Sequence, residues 1–111
     1  MSRKRFWLYG RVASPDNYAL SYQMEYLQHF AETWQLNVVG ASQNETSGLT
    51  FDRPGLNQFL EKVKQRLVDA LLVKDLSRLG RNYIEVQKLL DDLKAKGIEV
   101  FSISDMNLKA I

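Results

Sequence analysis

Four short runs of β-branched and aromatic residues, separated by three stretches of helical periodicity, constrain this chain more than any other feature. Arg5 to Val12 reads Arg-Phe-Trp-Leu-Tyr-Gly-Arg-Val and predicts a strand, with Ser14-Pro15-Asp16-Asn17 as the turn after it. From Tyr18 to Trp34, the apolar residues Leu20, Met24, Leu27, Ala31 and Trp34 recur at alternating spacings of four and three, one face of a helix. Gln35 to Gly40 carries Leu36, Val38 and Val39 and predicts a second strand. Ala41 to Arg53 is polar and without clear period, so it is expected to be a long loop. Pro54-Gly55 opens a second helix with the stripe Leu56, Phe59, Leu60, Val63 and Leu67. Ala70 to Val73 is a continuous apolar run that suits a strand covered on both faces. Leu76 to Arg81 is a polar, basic connection. Asn82 to Lys96 is the third helix, closed by Gly97, and Ile98 to Ile103 the fourth strand.

Strands alternating with helices of this size imply an α/β fold of three layers. A mainly parallel sheet of four or more strands is expected, with helices on both faces. The 111 residues suit one domain. With no cysteine and His29 the single histidine, thiolate chemistry and multi-histidine metal sites are excluded, and no metal or cofactor is expected. The basic start, Arg3-Lys4-Arg5, leads into no apolar segment of signal-peptide length, and no run approaches a membrane span. A cytoplasmic protein without a membrane partner is the expectation. A net charge of +2 does not by itself argue for a nucleic-acid partner.

In a parallel α/β sheet, chemistry gathers beyond the carboxyl ends of the strands. That rim collects Arg11 after the first strand, Arg53 at the end of the long loop, and Arg78 and Arg81 after the third strand. Arg78 and Arg81, three apart at an expected helix start, are placed to point the same way. Four guanidiniums on one edge fit a phosphate site, because each fork matches two phosphate oxygens. Pairing with Asp16, Asp52 or Asp75 is the competing arrangement. The rim has no glycine-rich phosphate loop, and where a magnesium-dependent phosphoacceptor domain needs acids it has Arg11-Val12-Ala13-Ser14. A hydroxyl nucleophile with arginine-stabilised phosphate charge suits those residues better.

Three motifs, in order and with matching helices between them, carry a family resemblance. Tyr9-Gly10-Arg11-Val12-Ala13-Ser14 followed by Gln23 resembles the opening motif of the serine site-specific recombinases, the resolvase/invertase family. Thr46-Ser47-Gly48 with Asp52-Arg53-Pro54-Gly55-Leu56 resembles their second motif, and Leu72-Val73-Lys74 with Leu76-Ser77-Arg78-Leu79-Gly80-Arg81 their third. The loop and helix register look most like the large serine recombinases of mobile elements.

The resemblance implies a resolvase-like catalytic domain that cuts and rejoins DNA through a 5′-phosphoserine intermediate. Arg11, Arg53, Arg78 and Arg81 would bind the scissile phosphate, Ser47 would be the hydroxyl of the active-site loop, and Gln23 the glutamine of the first helix. It also implies DNA as partner and a dimer or tetramer of the parent protein. The chain is expected to stop before the dimer helix and DNA-binding region of a larger parent. Two carboxylates of the pattern are replaced, by Asn44 and Ser77. More seriously, Ala13 stands where the pattern has its nucleophile. Either Ser14, one residue on, is the nucleophile, which is the reading adopted, or the domain is an inactive DNA-binding or regulatory module. Among the remaining residues, His29 is expected at the surface, Trp7, Tyr9 and Trp34 in the core, and Tyr18, Tyr22 and Tyr26 on a helix face suited to a partner.

Overall fold

The computed structural model describes residues 3–13, 17–45 and 53–105. Along them run β1 (Arg5–Val12), α1 (Asn17–Thr33), β2 (Asn37–Glu45), α2 (Pro54–Lys64), β3 (Ala70–Val73), α3 (Tyr83–Ala95) and β4 (Glu99–Ser102). Short 3-10 turns, Leu76–Arg78 and Ile103–Asp105, follow β3 and β4. All strand pairs are parallel, in the order β2-β1-β3-β4.

Alternation along the strands sorts their side chains into two cores, and this makes the three layers. Phe6, Leu8, Ala70 and Leu72 point to one face, where Met24, Leu27 and Phe30 of α1 cover them. Trp7, Tyr9, Leu71, Val73 and Val100 point to the other, against Leu56, Phe59 and Val63 of α2 and Leu93 of α3. β1 and β3, central in the sheet, are buried on both sides, as the continuous apolar run at Ala70–Val73 predicts.

The second strand is longer than its apolar residues suggest. Ala41 to Glu45, expected in a loop, continue β2 beside β1. Register shifts between Phe6 and Trp7, so that Phe6 faces Val38 but Trp7 faces Gly40. The extra residue, Val39, reverses which side each later side chain takes. Val38 packs on the α1 side, whereas Ser42 and Asn44 are buried against β1 and α2. Ser42 accepts from Trp7 Nε1 at 2.9 Å and donates to the Gly55 carbonyl at 2.6 Å. The buried positions here are polar, so a search for alternating hydrophobicity passes over them.

Two expected core residues lie at the surface. Trp34 is 54% exposed, because α1 ends at Thr33 and the chain turns through Gln35 at φ 55°. Phe30 packs on the sheet instead. Leu67 is 46% exposed, because α2 ends at Lys64 and Arg66 turns at φ 59°, so Val68 takes the core position. His29 is exposed, as expected, and Trp7 and Tyr9 are buried.

Gly97 follows α3 at φ 78°, and its N–H and that of Ile98 return to the carbonyls of Lys94 and Leu93. A Cβ there would meet nothing within 4 Å, so Gly97→Ala is expected to cost only the backbone penalty. Thermal unfolding should show a loss of about 1 kcal/mol, or about 5 °C.

At the amino end of the sheet, Arg5 Nε lies 2.9 Å from Asp69 Oδ2, and the Arg5 N–H donates to the same oxygen at 2.8 Å. The Arg5 side chain holds the Asp69 carboxyl below its ordinary pKa. The ion pair ties β1 to the segment entering β3, at the end of the strands remote from Arg11.

Candidate functional site

The strand order reverses between β1 and β3: the chain leaves β1 for β2 on one side and returns through α2 to β3 on the other. Parallel sheets open a crevice at the carboxyl ends of strands at such a point. Arg11 stands there at the end of β1, and the Leu76–Arg78 turn stands there after β3.

Arg11 is 4% exposed and grips that turn, donating from Nε to the Arg78 carbonyl at 3.1 Å and from Nη2 to the Ser77 carbonyl at 2.6 Å. Arg78 reciprocates, its Nη1 donating to the Arg11 carbonyl at 2.9 Å. Gln23 of α1 clamps the same residue from the other side. Its Oε1 accepts from Arg11 N–H at 2.9 Å, and its Nε2 donates to the Arg11 carbonyl at 3.2 Å. One side-chain amide supplies both the acceptor and the donor, which a carboxylate cannot do. Gly10 allows this approach: a Cβ there would lie 2.5 Å from Met24 Sδ and 2.9 Å from Gln23 Oε1.

Arg53 immediately precedes α2 and is 8% exposed. Its Nη1 donates to the Leu79 carbonyl, so it holds the far side of the same turn. Arg53 Nε is buried without a hydrogen-bond partner among the described residues. Among the described residues Arg78 Nε makes no hydrogen bond either, although it stands 3.3 Å from Asp75 Oδ2 in an ion pair. Asp75 also accepts from the Ser77 N–H at 3.1 Å and from the Ser77 hydroxyl. Ser77 is exposed and serves as the cap partner of this turn.

Burial lowers the Arg11 pKa, and the charges of Arg53, Arg78 and Arg81 push the same way while Tyr9 opposes them. Burial raises the Tyr9 pKa against the pull of Arg53 and Arg11. Arginine stays protonated in proteins. The cluster therefore concentrates positive charge, and one ion pair, Arg78 with Asp75, forms in it among the described residues. Guanidiniums in such surroundings favour a multivalent oxyanion.

The structure brings Arg11, Arg53, Arg78 and Gln23 together and corrects one expectation. Arg78 and Arg81 do not share a helix start. Arg78 ends a 3-10 turn, while Asn82 caps α3 by accepting from the Glu85 N–H at 3.2 Å. Arg81 lies between them, exposed, and reaches Arg11 through its charge. Asn44 sits beneath α2: its Oδ1 accepts from Tyr9 OH at 2.7 Å and from the Leu56 N–H at 3.2 Å. Ser14 and Ser47 lie outside the described residues; Ala13 is described and exposed. The polar role of Tyr9 was hidden by its place in an aromatic strand, and the tyrosine that precedes Gly10-Arg11 is the sequence signal that marks it.

A parallel sheet between two helical layers, with arginines interlocked at its reversal point, defines a three-layer α/β domain. The chain belongs to the family described as "Resolvase, N terminal domain", whose model matches residues 6–110. It is 35% identical to the serine recombinase Gin of Escherichia phage Mu over 63 residues, covering 57% of this chain and 32% of that protein. The chain thus spans about a third of the length of the curated relatives it matches. Among solved structures, the C-terminal catalytic domain of ISC1926 TnpA, an IS607-like serine recombinase, superposes with a TM-score of 0.82 at 28% identity, covering 89% of this chain and 70% of that one. The N-terminal catalytic domain of TP901-1 integrase shares the fold, with a TM-score of 0.83 at 23% identity over 92% of this chain and 78% of that one. Among the described residues no helix is long and apolar enough to cross a membrane.

Proposed function

We propose that this chain is the catalytic domain of a longer serine site-specific recombinase, acting on DNA phosphodiesters in the cytoplasm as a dimer or tetramer. The observation that carries this reading is the reciprocal lock between Arg11 and Arg78, with Arg53 on the far side of the same turn. It supports the reading because it gathers three guanidiniums around one turn at the carboxyl end of the sheet, in a domain of the resolvase family.

In the proposed reaction, the Ser14 hydroxyl oxygen attacks the scissile phosphorus. The Ser14 O–P bond forms as the bond from phosphorus to the 3′ oxygen breaks, and the serine proton is balanced by one gained at the 3′ oxygen. The 5′ phosphate stays on the serine until the reverse attack by a 3′ hydroxyl rejoins the strand. Arg53 and Arg78 stabilise charge on the non-bridging oxygens. Arg11 fixes the turn that carries Arg78, Arg81 adds field from the surface, and Ser47 is assigned to the active-site loop. Gln23 is a positioning residue, acting through Arg11.

The test is a nicked DNA substrate bearing the ends of the parent's own element, which traps any covalent protein–DNA product for mass spectrometry. An adduct on Ser14 is expected. Ala13 at the nucleophile position supports a second reading, an inactive DNA-binding or regulatory module. Absence of an adduct, with Ala13→Ser creating one, would establish that second reading instead.

A further inference from the structure

We propose that the tyrosine-lined face of α1 beside Lys74 and Arg78 binds unpaired nucleotides next to the phosphate held by the arginines. This rests on the phosphate-binding role proposed for the arginine cluster. Tyr18, Tyr22 and Tyr26 are 84%, 61% and 41% exposed, although α1 already buries its opposite face on the sheet. They stand four residues apart, which separates successive rings along the helix by about 6 Å. Three large rings left in water on one face form the kind of surface that normally meets a partner.

The chemistry of the groove below them selects the partner. It is lined by Val12, Tyr18, Tyr22, Gln23, Lys74 and Arg78, and no carboxylate lines it among the described residues. Lys74 Nζ stands 5.9 Å from the Tyr26 ring centre, a cation over an aromatic face at the groove's edge. Tyr22 and Tyr26 also border a second groove, which carries Glu25 and Glu32 around His29. The tyrosine face therefore has an acidic side and a cationic side, and the cationic side, with Tyr18, Tyr22, Lys74 and Arg78, is the one that adjoins the arginines.

The groove is also continuous with that site, because Arg78 belongs to both and Gln23 clamps Arg11. A strand whose phosphate lies at Arg78 has this groove as a path away from it, with Lys74 placed for a neighbouring phosphate and the rings for bases. Aromatic faces accept any base, so the contact would be tolerant of sequence. The ring spacing exceeds the roughly 3.4 Å rise of duplex DNA, so the face suits bases that are out of their stack.

The experiment titrates a fluorescein-labelled single-stranded decanucleotide into the 111-residue chain at low salt and follows anisotropy. The double variant Tyr18→Ala/Tyr22→Ala is expected to bind about tenfold more weakly or worse. The variant Tyr18→Phe/Tyr22→Phe should bind as the parent chain does, and Lys74→Ala should flatten the salt dependence by about one unit of slope. Inorganic phosphate, followed by arginine side-chain NMR, should bind the tyrosine variants unchanged and lose its site in Arg78→Ala. Phosphate binding that survives Arg78→Ala would count against the arginine reading alone. Unchanged decanucleotide affinity in Tyr18→Ala/Tyr22→Ala, or no binding by the parent chain, would overturn the nucleotide groove. Sedimentation supplies the remaining outcome: self-association abolished by those alanines, with decanucleotide affinity unaffected, would make the face a protein interface and equally overturn it.

Discussion

Arg78→Ala in the proposed parent recombinase is expected to slow strand cleavage by about 100- to 1,000-fold, the usual effect of removing one preorganised donor from a developing oxyanion. Single-turnover cleavage of the nicked substrate measures it. The fold should survive. The Arg11 carbonyl loses Arg78 Nη1 but keeps Gln23 Nε2 at 3.2 Å, and Asp75 is a quarter exposed and regains water. Melting of the variant is therefore expected to stay close to the parent, since a partly exposed ion pair contributes at most about 1 kcal/mol. Arg78→Lys separates charge from geometry: it keeps the cation and loses the planar fork, so it should recover only part of the rate. Arg11→Ala is a poorer probe, because Arg11 also holds the Ser77 and Arg78 carbonyls and its loss would loosen the turn itself. Undiminished cleavage by a folded Arg78→Ala protein would remove Arg78 from the phosphate site.

The sheet was legible because its signals were apolar and regular. Ala70 to Val73 reads as a doubly covered strand because all four side chains are buried, and it is one. The stripe on α1 from Leu20 to Ala31 likewise lies on the sheet side, where Leu20, Leu27 and Ala31 are all buried. A helix followed by a left-handed residue other than glycine leaves no stop signal in the sequence: Gln35 and Arg66 turn the chain after α1 and α2, so the apolar stripes point Trp34 and Leu67 to a core they do not reach. At the site, the rim position of Arg11 and Arg78 followed from strand order, but their reciprocal grip on each other's backbone did not. Such contacts depend on the path of the turn after β3. That turn is anchored by Leu79, 1% exposed, rather than by the start of α3.

Asn44→Ala is expected to destabilise the fold by about 2–4 kcal/mol, because it strands two buried donors at once. Tyr9 OH, in a fully buried side chain, and the Leu56 N–H both donate to Asn44 Oδ1. Chemical denaturation would measure the loss, and melting should fall by roughly 10–20 °C. Asn44→Asp should behave differently. Both contacts need an acceptor, and a carboxylate on β2 supplies one facing the first turn of α2, where negative charge is favoured. Arg53, which precedes Pro54, and Arg11 are near enough to shift Tyr9, so the added charge would meet cations rather than apolar surface. Retention of most of the stability by Asn44→Asp, against its loss in Asn44→Ala, would identify hydrogen-bond acceptance as the requirement at this position. Equal stability of the two would instead mean that the Tyr9 hydroxyl and the Leu56 N–H find other partners. The consequence reaches the site through α2. Asn44 fixes the helix three residues after Arg53, so Asn44→Ala should lower cleavage even at temperatures where the protein remains folded, and Asn44→Asp should restore it.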